Sequence, residues 1–251
     1  YAYTFNNRGN TLHFGLSYID YGEFSGYDNQ GNPTNDFTGK ESAFSIGYSS
    51  KINYLPIYVG LNLRLITSSL EQYNSIGIST DIGVLYINSE MNLNIAMVIR
   101  NFGTQIKAYN DIYESLPFEI DIGVSQLLEN APVRWYLTFE NVQKWNIALS
   151  NPSRLTTDLD GNITEEKITF FNNIFRHLLI GAELFPESIF NIRLGYNFKR
   201  GEELKIIDQS NFSGLSFGFG MKFNKLRINY THAKFSGAAN TSFIGLQLNL
   251  N

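Results

Sequence analysis

The chain has 251 residues and a formal net charge of −4, with 15% aromatic and only 17% charged residues. The charged fraction is below the roughly 25% of typical soluble domains, and the small negative charge excludes a basic surface for nucleic acid. Because the chain has no cysteine and only three histidines, disulfides and thiolate metal sites are excluded, and we predict neither a metal site nor a cofactor. No apolar run approaches the roughly 18 residues of a membrane-spanning helix.

Apolar and polar residues alternate with the period of a β-strand along nearly the whole chain. In the stretch 117–142, two alternating runs flank a turn around 129–132, which predicts a hairpin with one apolar and one polar face. No segment of helical period and useful length is present. In chain order, the apolar positions predict thirteen strands, near residues 1–5, 12–18, 44–48, 57–65, 76–86, 93–99, 118–124, 133–139, 178–184, 190–196, 215–223, 226–230 and 244–250.

The connections between these strands are predicted to alternate strictly between short turns and longer loops. Outer-membrane barrels have short turns on the periplasmic side and longer loops outside, whereas a soluble sandwich has no reason to sort its loops in this way. Strands of about 9–11 residues would also suit a tilted membrane strand. The predicted longer connections are 20–41, one that reaches residue 74, one that ends at residue 116, 143–173 and 199–211.

We therefore predict an all-β protein, a transmembrane antiparallel up-and-down β-barrel that forms a single domain over residues 1–251. It would lie in the bacterial outer membrane, in contact with membrane lipid, with its longer loops facing the cell exterior. A soluble β protein is the alternative. Because bacterial barrels have even strand numbers, we expect 14 strands, with about 13 in this chain and the first strand, together with an N-terminal segment, missing from it.

Many glycines fall on the polar phase of the strands, which would face the interior of a barrel. One interpretation is that they mark kinks that help a sheet to curve. The other is that a segment such as an N-terminal plug packs closely on the inner wall. These inward glycines are Gly15, Gly47, Gly60, Gly77, Gly83, Gly123, Gly181, Gly195, Gly218, Gly220 and Gly245.

The few charges on the same phase tend to alternate in sign between neighbouring strands. Charges that pair with one another neutralise each other, so they favour a structural wall over a selective pore, which is the alternative. On a lipid-facing side, Arg or Lys would cost about 2–4 kcal/mol each at the midplane. The predicted lumen charge network is Arg64, Asp81, Arg100, Glu119, Asp121, Arg134, Glu140, Glu183 and Arg193.

Two short motifs suggest chemistry, but their surroundings disfavour it. Residues 214–218 match the G-x-S-x-G nucleophile elbow, which needs a strand-to-helix turn, whereas here the motif lies inside an alternating strand. Acidic runs at 158–164 and 28–32 resemble fragments of calcium loops without the EF-hand spacing, so local turns are the better interpretation. We predict no catalytic residue.

Aromatic residues also occur in the predicted outer loops, where strands do not explain them. Exposed aromatic side chains on outer loops can anchor a protein partner, although packing of each loop on itself is an equal alternative. The candidate partner-binding residues are Phe24, Tyr27, Phe37, Tyr109, Tyr113, Phe170 and Phe171.

Several stretches of the chain together resemble one family. They are YGEFSGYDNQGNPTNDFTG, RNFGTQ, LPFEIDIGVSQLLENAPVRWYLTFENVQKWNI and LGYNFKRGEEL. They are similar to the PorQ family, outer-membrane barrel proteins of the type IX secretion system of Bacteroidetes, over most of the chain. The resemblance implies a 14-stranded barrel similar to the fatty-acid transporter FadL. It carries over no catalytic residue.

The resemblance also implies a partner. It places the chain in a cell-surface attachment complex, as membrane anchor for a PorZ-like surface protein, beside PorU-like and PorV-like components. The leading hypothesis is therefore a non-enzymatic anchor that holds a surface protein through its extracellular loops. A FadL-like channel for hydrophobic or small solutes is the alternative, and it rests on fold analogy alone.

Overall fold

The computed structural model describes residues 1–5, 9–110, 112–151, 155–157, 163–164, 167–204, 212–234 and 240–250. Thirteen strands form one sheet in which each strand pairs with its neighbours along the chain, which confirms the predicted all-β, antiparallel up-and-down arrangement. The strands of this sheet are β1 Ala2–Phe5, β2 Asn10–Phe24, β3 Phe37–Lys51, β4 Ile57–Leu70, β5 Tyr73–Asn88, β6 Leu93–Lys107, β7 Glu119–Leu127, β8 Val133–Phe139, β11 Leu178–Leu184, β12 Phe190–Asn197, β13 Leu215–Phe223, β14 Leu226–Lys234 and β15 Asn240–Leu248.

Four further elements lie in the two longest connections, and they correct the expectation that the chain has no helix. A two-stranded sheet and a seven-residue helix occupy the connection between β8 and β11, and a six-residue helix follows β12. None of the described helices is long and apolar enough to cross a membrane. The four elements are β9 Thr156–Thr157, β10 Ile163–Thr164, α1 Phe170–Arg176 and α2 Phe198–Glu203.

The contacts divide the chain into two compact units. The first unit is Tyr1–Tyr86 with Ala96–Ile120, and the second is Ile87–Ile95 with Asp121–Asn251. In the first unit, β2, β3 and β4 have 15, 15 and 14 residues. In the second unit, the strands from β8 to β15 that belong to the large sheet have 7 to 9 residues.

The length of β4 corrects the expected strand length of about 9–11 residues. Its apolar alternation ends at Leu65, but backbone pairing with β5 continues through Thr67, Ser68 and Ser69 to Leu70. Because backbone hydrogen bonds do not require apolar side chains, the ladder extends beyond the apolar band. Residues 71–72 therefore form a tight turn instead of the predicted medium loop, and the connections do not alternate strictly in length.

The two faces of the sheet have an exposure pattern opposite to that of a soluble protein. On β4, Leu61, Leu63 and Leu65 are 46%, 43% and 44% exposed, whereas the intervening Asn62 and Arg64 are half-buried. Among the described residues, Ala108 and Ile147 are the only buried hydrophobic residues, while ten polar or charged residues are buried. In soluble proteins the apolar face of a strand meets the core, so the protein packs its polar face and leaves its apolar face uncovered.

Candidate functional site

The polar face of the first unit is organised around Asp81 on β5. Its carboxylate accepts hydrogen bonds from Arg64 Nη2 at 2.6 Å, Asn62 Nδ2 at 3.0 Å and the Asn101 backbone N–H at 3.0 Å. The side chains of Arg64 and Asp81 are 31% and 16% exposed. This ion pair therefore lies in a partly desolvated setting, in which charges interact more strongly than they do in water.

The polar face of the second unit contains a similar cluster around Glu183 on β11. Strand register places Arg134 and Arg193 on either side of Glu183. Arg193 Nε donates to Glu183 Oε1 at 3.1 Å, and the Tyr136 hydroxyl donates to Oε2 at 2.7 Å. Glu183 is 8% exposed, so its charge is neutralised by these neighbours on the polar face of the sheet.

The four other predicted network charges occupy different settings. Asp121 on β7 is buried, and its Oδ1 accepts the backbone N–H of Asn141 at 3.1 Å. Glu119 and Glu140 are half-buried, and Arg100 is exposed on β6. The geometry joins predicted charges in the Arg64–Asp81 and Glu183–Arg193 pairs, while Asp121 caps a backbone turn.

The inward glycines fall into two groups by what a Cβ atom would meet. At Gly47, the ring of His13 from β2 occupies the Cβ position, and at Gly220 the side-chain amides of Asn191 and Asn229 lie within about 3 Å of it. At these positions glycine makes room for a side chain from a neighbouring strand. Gly83, in contrast, faces open space, with no atom within 4 Å of the Cβ position.

The predicted partner-binding aromatics of the first unit are held partly by their own surroundings. Phe24 and Phe37 pair across β2 and β3, with ring centroids 5.3 Å apart and planes 22° apart. The Tyr109 hydroxyl donates to Ser68 Oγ. Tyr27 and Tyr113 are 65% and 63% exposed. The Phe24–Phe37 stack therefore has a packing role at the strand ends, and the two exposed tyrosines lie in separate loops.

The predicted aromatics of the second unit lie on a built structure, which we call the cap. The cap consists of residues 140–151, α1 with His177, α2, and residues 212–214. Phe170 and Phe171 of α1 are 63% and 69% exposed on its surface. Beneath them, the cap contains half of the buried residues named above, which are Ile147, Asn151, Asn173, Arg176, His177 and Ser213.

Side-chain hydrogen bonds to the backbone hold the cap together. Thr169 Oγ1 accepts the Asn172 N–H at 3.3 Å and so begins α1, as expected of an N-cap threonine. Asn173 donates from Nδ2 to the Trp145 carbonyl and accepts the Ala148 N–H at Oδ1. Asn151 Nδ2 donates to the Glu202 carbonyl at 2.8 Å, which ties the loop to α2.

His177 is completely buried where α1 meets β11. Its ring nitrogens lie 2.6 and 2.9 Å from the carbonyl oxygens of Glu140 and Trp145. Its ring stacks on Phe139 of β8, with centroids 4.8 Å apart, and on Trp145, with centroids 5.6 Å apart. The ring of Trp145 in turn packs against the ring of Phe170, with centroids 5.3 Å apart. The exposed aromatics of α1 are thus joined ring by ring to the end of a strand.

Phe170 and Phe171, which are predicted to lie in a loop, belong to helix α1, and the sequence does not reveal the residues that support them. His177, Asn173 and Arg176 are not among the site residues predicted from the sequence. The sequence carries one signal for this helix. Thr169 is a favourable N-cap residue, apolar residues follow it, and Arg176 places a basic side chain in the last turn. A helix of only seven residues is too short for its period to stand out.

Neither a metal site nor a nucleophile elbow is formed among the described residues. No group of three or more His, Asp or Glu side chains there could hold a metal ion. The carboxylate of Asp28 accepts the N–H groups of Gln30 and Asn32 in its own turn. The other acidic run, 158–164, lies largely outside the described residues. Ser216 sits on β13 and donates to the Gly195 carbonyl at 3.3 Å.

Comparison of the sequence with models of known protein families gave no match, and comparison with curated proteins gave none either.

Proposed function

We propose that the chain is an outer-membrane β-barrel that acts as a non-enzymatic anchor and holds a surface protein through its extracellular loops. The observation that carries the proposal is the reversed exposure of the sheet. Apolar burial is worth about 25 cal/mol per Å², so a face of exposed Leu, Ile, Val and Phe would be strongly unfavourable in water. Hydrocarbon removes that cost.

The paired charges support a wall between lipid and a polar interior. Arg64, Asp81, Glu183 and Arg193 lie on the polar face, where they neutralise one another. The proposed barrel has 14 strands, similar to FadL, and the thirteen described strands of the large sheet would make up all but one. The additional strand would pair with the edge strands β1 and β15, whose outer backbone groups need hydrogen-bond partners within a bilayer.

The cap is the proposed docking surface. Binding energy at protein interfaces concentrates in a few aromatic or arginine side chains on well-ordered supports. Trp145, Phe170 and Phe171 meet both conditions, because they are exposed and lie on a buried hydrogen-bonded layer. The resemblance to the PorQ family supports a PorZ-like protein of the type IX secretion attachment complex as the occupant, with PorU-like and PorV-like components nearby.

A channel for hydrophobic or small solutes is the second candidate. The open space above Gly83 on the polar face of the first unit is the observation that favours it. Planar-bilayer recording separates the two functions, because an anchor with a closed or plugged interior should give no steady large conductance and a channel should.

The anchor is tested by partner capture from cells. Full-length protein is solubilised in detergent from the outer-membrane fraction, and co-purified proteins are identified by mass spectrometry. We expect a PorZ-like surface protein in stoichiometric amount. Replacing Phe170 and Phe171 by serine should weaken capture at least about 30-fold, because a single hot-spot aromatic already contributes about 2 kcal/mol or more.

A matched control shows whether capture depends on the cap or on any exposed aromatic ring. Tyr54→Ser removes an exposed aromatic ring from the connection between β3 and β4, outside the predicted partner-binding residues, and it should leave capture unchanged. Equal loss of capture in both variants would contradict the cap as docking surface. Absence of the chain from the outer-membrane fraction would contradict the proposed function as a whole.

A further inference from the structure

The polar face of the first unit contains a pocket that spans β2 to β5. Its cavity volume is about 190 Å³. A cavity of roughly 150 Å³ holds one benzene ring, so the pocket has room for one six-membered ring with its substituents. All of the lining residues belong to the first unit.

Two neighbouring rows of the polar face form the pocket. The register of β2 to β5 gives the rows as Thr11, Ser49, Gly60, Gly83 and as His13, Gly47, Asn62, Asp81. In the first row, no atom lies within 4 Å of the Cβ position of Gly83. In the second row, the His13 ring occupies the Cβ position of Gly47. The bare backbone of the first row is therefore the floor of the pocket, and the side chains of the second row form its wall.

Three polar groups of the lining have no hydrogen-bond partner among the described residues. They are the ring nitrogens of His13, the hydroxyl of Ser49 and the Oδ1 atom of Asn62. The Oδ1 atom is buried, although Nδ2 of the same side chain donates to Asp81 at 3.0 Å. Buried polar atoms are almost always hydrogen-bonded in folded proteins. A bound molecule with a donor group would satisfy this acceptor.

The pocket offers no free charge to an ionic ligand. Asp81 is the one acidic residue in the described lining, which contains no Lys or Arg. The Asp81 carboxylate is already engaged by Arg64 at 2.6 Å and by the N–H groups of Asn62 and Asn101. With His13 neutral, a charged ligand would lose its hydration without gaining a free opposite charge. The lining therefore favours a ligand without net charge.

The remaining surface of the pocket suits the C–H face of a flat ring. Val98 of β6 is half-buried beside the glycine floor, and glycine lets a ligand approach the backbone closely. A purely apolar ring would leave the three polar groups unpaired. A sugar ring carries hydroxyl groups on its rim and C–H groups on its faces, so it matches both the polar wall and the floor.

We propose that this pocket binds a neutral monosaccharide. One hydroxyl donates to Asn62 Oδ1, other hydroxyls form hydrogen bonds with His13 and Ser49, and one face of the ring lies on Gly60 and Gly83. The inference goes beyond the anchor function and does not rest on it, because the pocket needs neither the cap nor a partner protein.

Saturation-transfer difference NMR on the full-length protein tests the inference. The protein is solubilised in lauryldimethylamine oxide, because this detergent has no sugar headgroup, and glucose, galactose and mannose are added in turn. We expect transfer to at least one of them. The matching uronic acid and amino sugar should bind at least about tenfold more weakly, because neither charge finds a free partner. Absence of transfer to all three neutral sugars, or equal binding of a charged counterpart, overturns the inference.

Two variants and a matched control locate the site. Gly83→Val places a side chain in the open space above β5 and should abolish the transfer. Gly245→Val is the control, because Gly245 also lies on the polar phase and the nearest atom to its Cβ position is 3.9 Å away. It should leave binding unchanged. His13→Phe keeps a ring over Gly47 but removes both nitrogens, so it should weaken binding about fivefold, the loss expected for one neutral hydrogen bond.

Unchanged thermal unfolding midpoints show that the variants remain folded. If Gly83→Val fails to fold, His13→Phe alone decides, and binding at the original affinity in that variant overturns the inference.

The two proposals fail in different ways. If the purified chain is monodisperse in buffer without detergent, the membrane location fails, and the sugars are tested in that buffer. If the chain requires detergent but binds no neutral sugar, only the sugar site fails.

Discussion

Asn101 and Asn141 adopt the same uncommon backbone conformation, with φ angles of 55° and 56°. In each case the backbone N–H donates to the Oδ1 atom of an aspartate twenty residues earlier, Asp81 or Asp121. A residue with a Cβ atom is strained in the left-handed backbone conformation, but asparagine tolerates this conformation better than most residues do. The two aspartates therefore hold two asparagines in the same left-handed backbone conformation, one within β6 and one just after β8.

Substitution of Asn101 should separate strain from hydrogen bonding. Asn101→Ala should lower the free energy of unfolding by about 2 kcal/mol, because it combines left-handed strain with loss of the Nδ2 bond to the Pro117 carbonyl. Asn101→Gly relieves the strain and should cost about 1 kcal/mol. Urea unfolding in detergent micelles measures both. If the alanine variant were as stable as the glycine variant, the left-handed conformation at position 101 would not be strained.

Asp28 makes the turn in the long connection between β2 and β3 dependent on pH. Hydrogen bonds from the Asn32 side chain and backbone are the main causes that hold the pKa of its carboxyl below its ordinary value of 3.8. A carboxyl with a lowered pKa stabilises the turn above its ordinary pKa, and the stabilisation is lost as the pH falls through the lowered value. The turn should therefore stay closed at neutral pH and open only in acid below pH 3.8.

The Asn32 amide resonance, followed by NMR as the pH falls, measures this opening. It should move toward its random-coil position only in that acid range. In Asp28→Asn the side-chain acceptor remains but does not titrate, so the Asn32 resonance should show no such transition. A transition of equal size in both proteins would assign the opening to another group.

At the scale of elements, the strands could be predicted from sequence and the cap could not. Alternation in β8 or β12 is a local property, because the polarity of each residue indicates on which face of the sheet its side chain lies. The cap depends on contacts of His177 with Phe139 and Trp145. Both of these residues are far from His177 along the chain. The end of β4 was misjudged for a related reason, since Ser68 and Ser69 continue the ladder without any apolar signal.

His177 should control how firmly the cap is attached. His177→Ala removes a buried partner from the carbonyls of Glu140 and Trp145 and breaks the ring stack. We expect the local free energy of opening to fall by about 2 kcal/mol, so that hydrogen exchange in 141–151 accelerates about 30-fold. His232→Ala is the control, because His232 lies on β14 and contacts Ser242.

Exchange in β11 to β13 should stay slow in both histidine variants, since the sheet does not depend on the cap ring. Unchanged exchange in 141–151 after His177→Ala would show that Asn173 and Asn151 hold the cap without the histidine.

At the scale of the whole molecule, the placement of the two tryptophans tests the membrane orientation. Trp135 lies on β8 in phase with Val133 and Leu137 on the apolar face, whereas Trp145 packs in the cap beyond the strands. In vesicles with brominated acyl chains, Trp145→Phe protein, which retains only Trp135, should be strongly quenched. Trp135→Phe protein, which retains only Trp145, should be quenched little. The reverse order would exclude lipid on the apolar face.

The pairing of each strand with its chain neighbour has a consequence for assembly. Most pairings close only a short connection, so the sheet can grow hairpin by hairpin with a small loss of chain entropy. The exception is the joining of β8 to β11, which must close the whole of 140–177. His177 and Glu140 meet at that junction. The step of biogenesis that closes the longest connection between two neighbouring strands is therefore also the one that creates the cap, and mutations there should slow maturation before they weaken the finished protein.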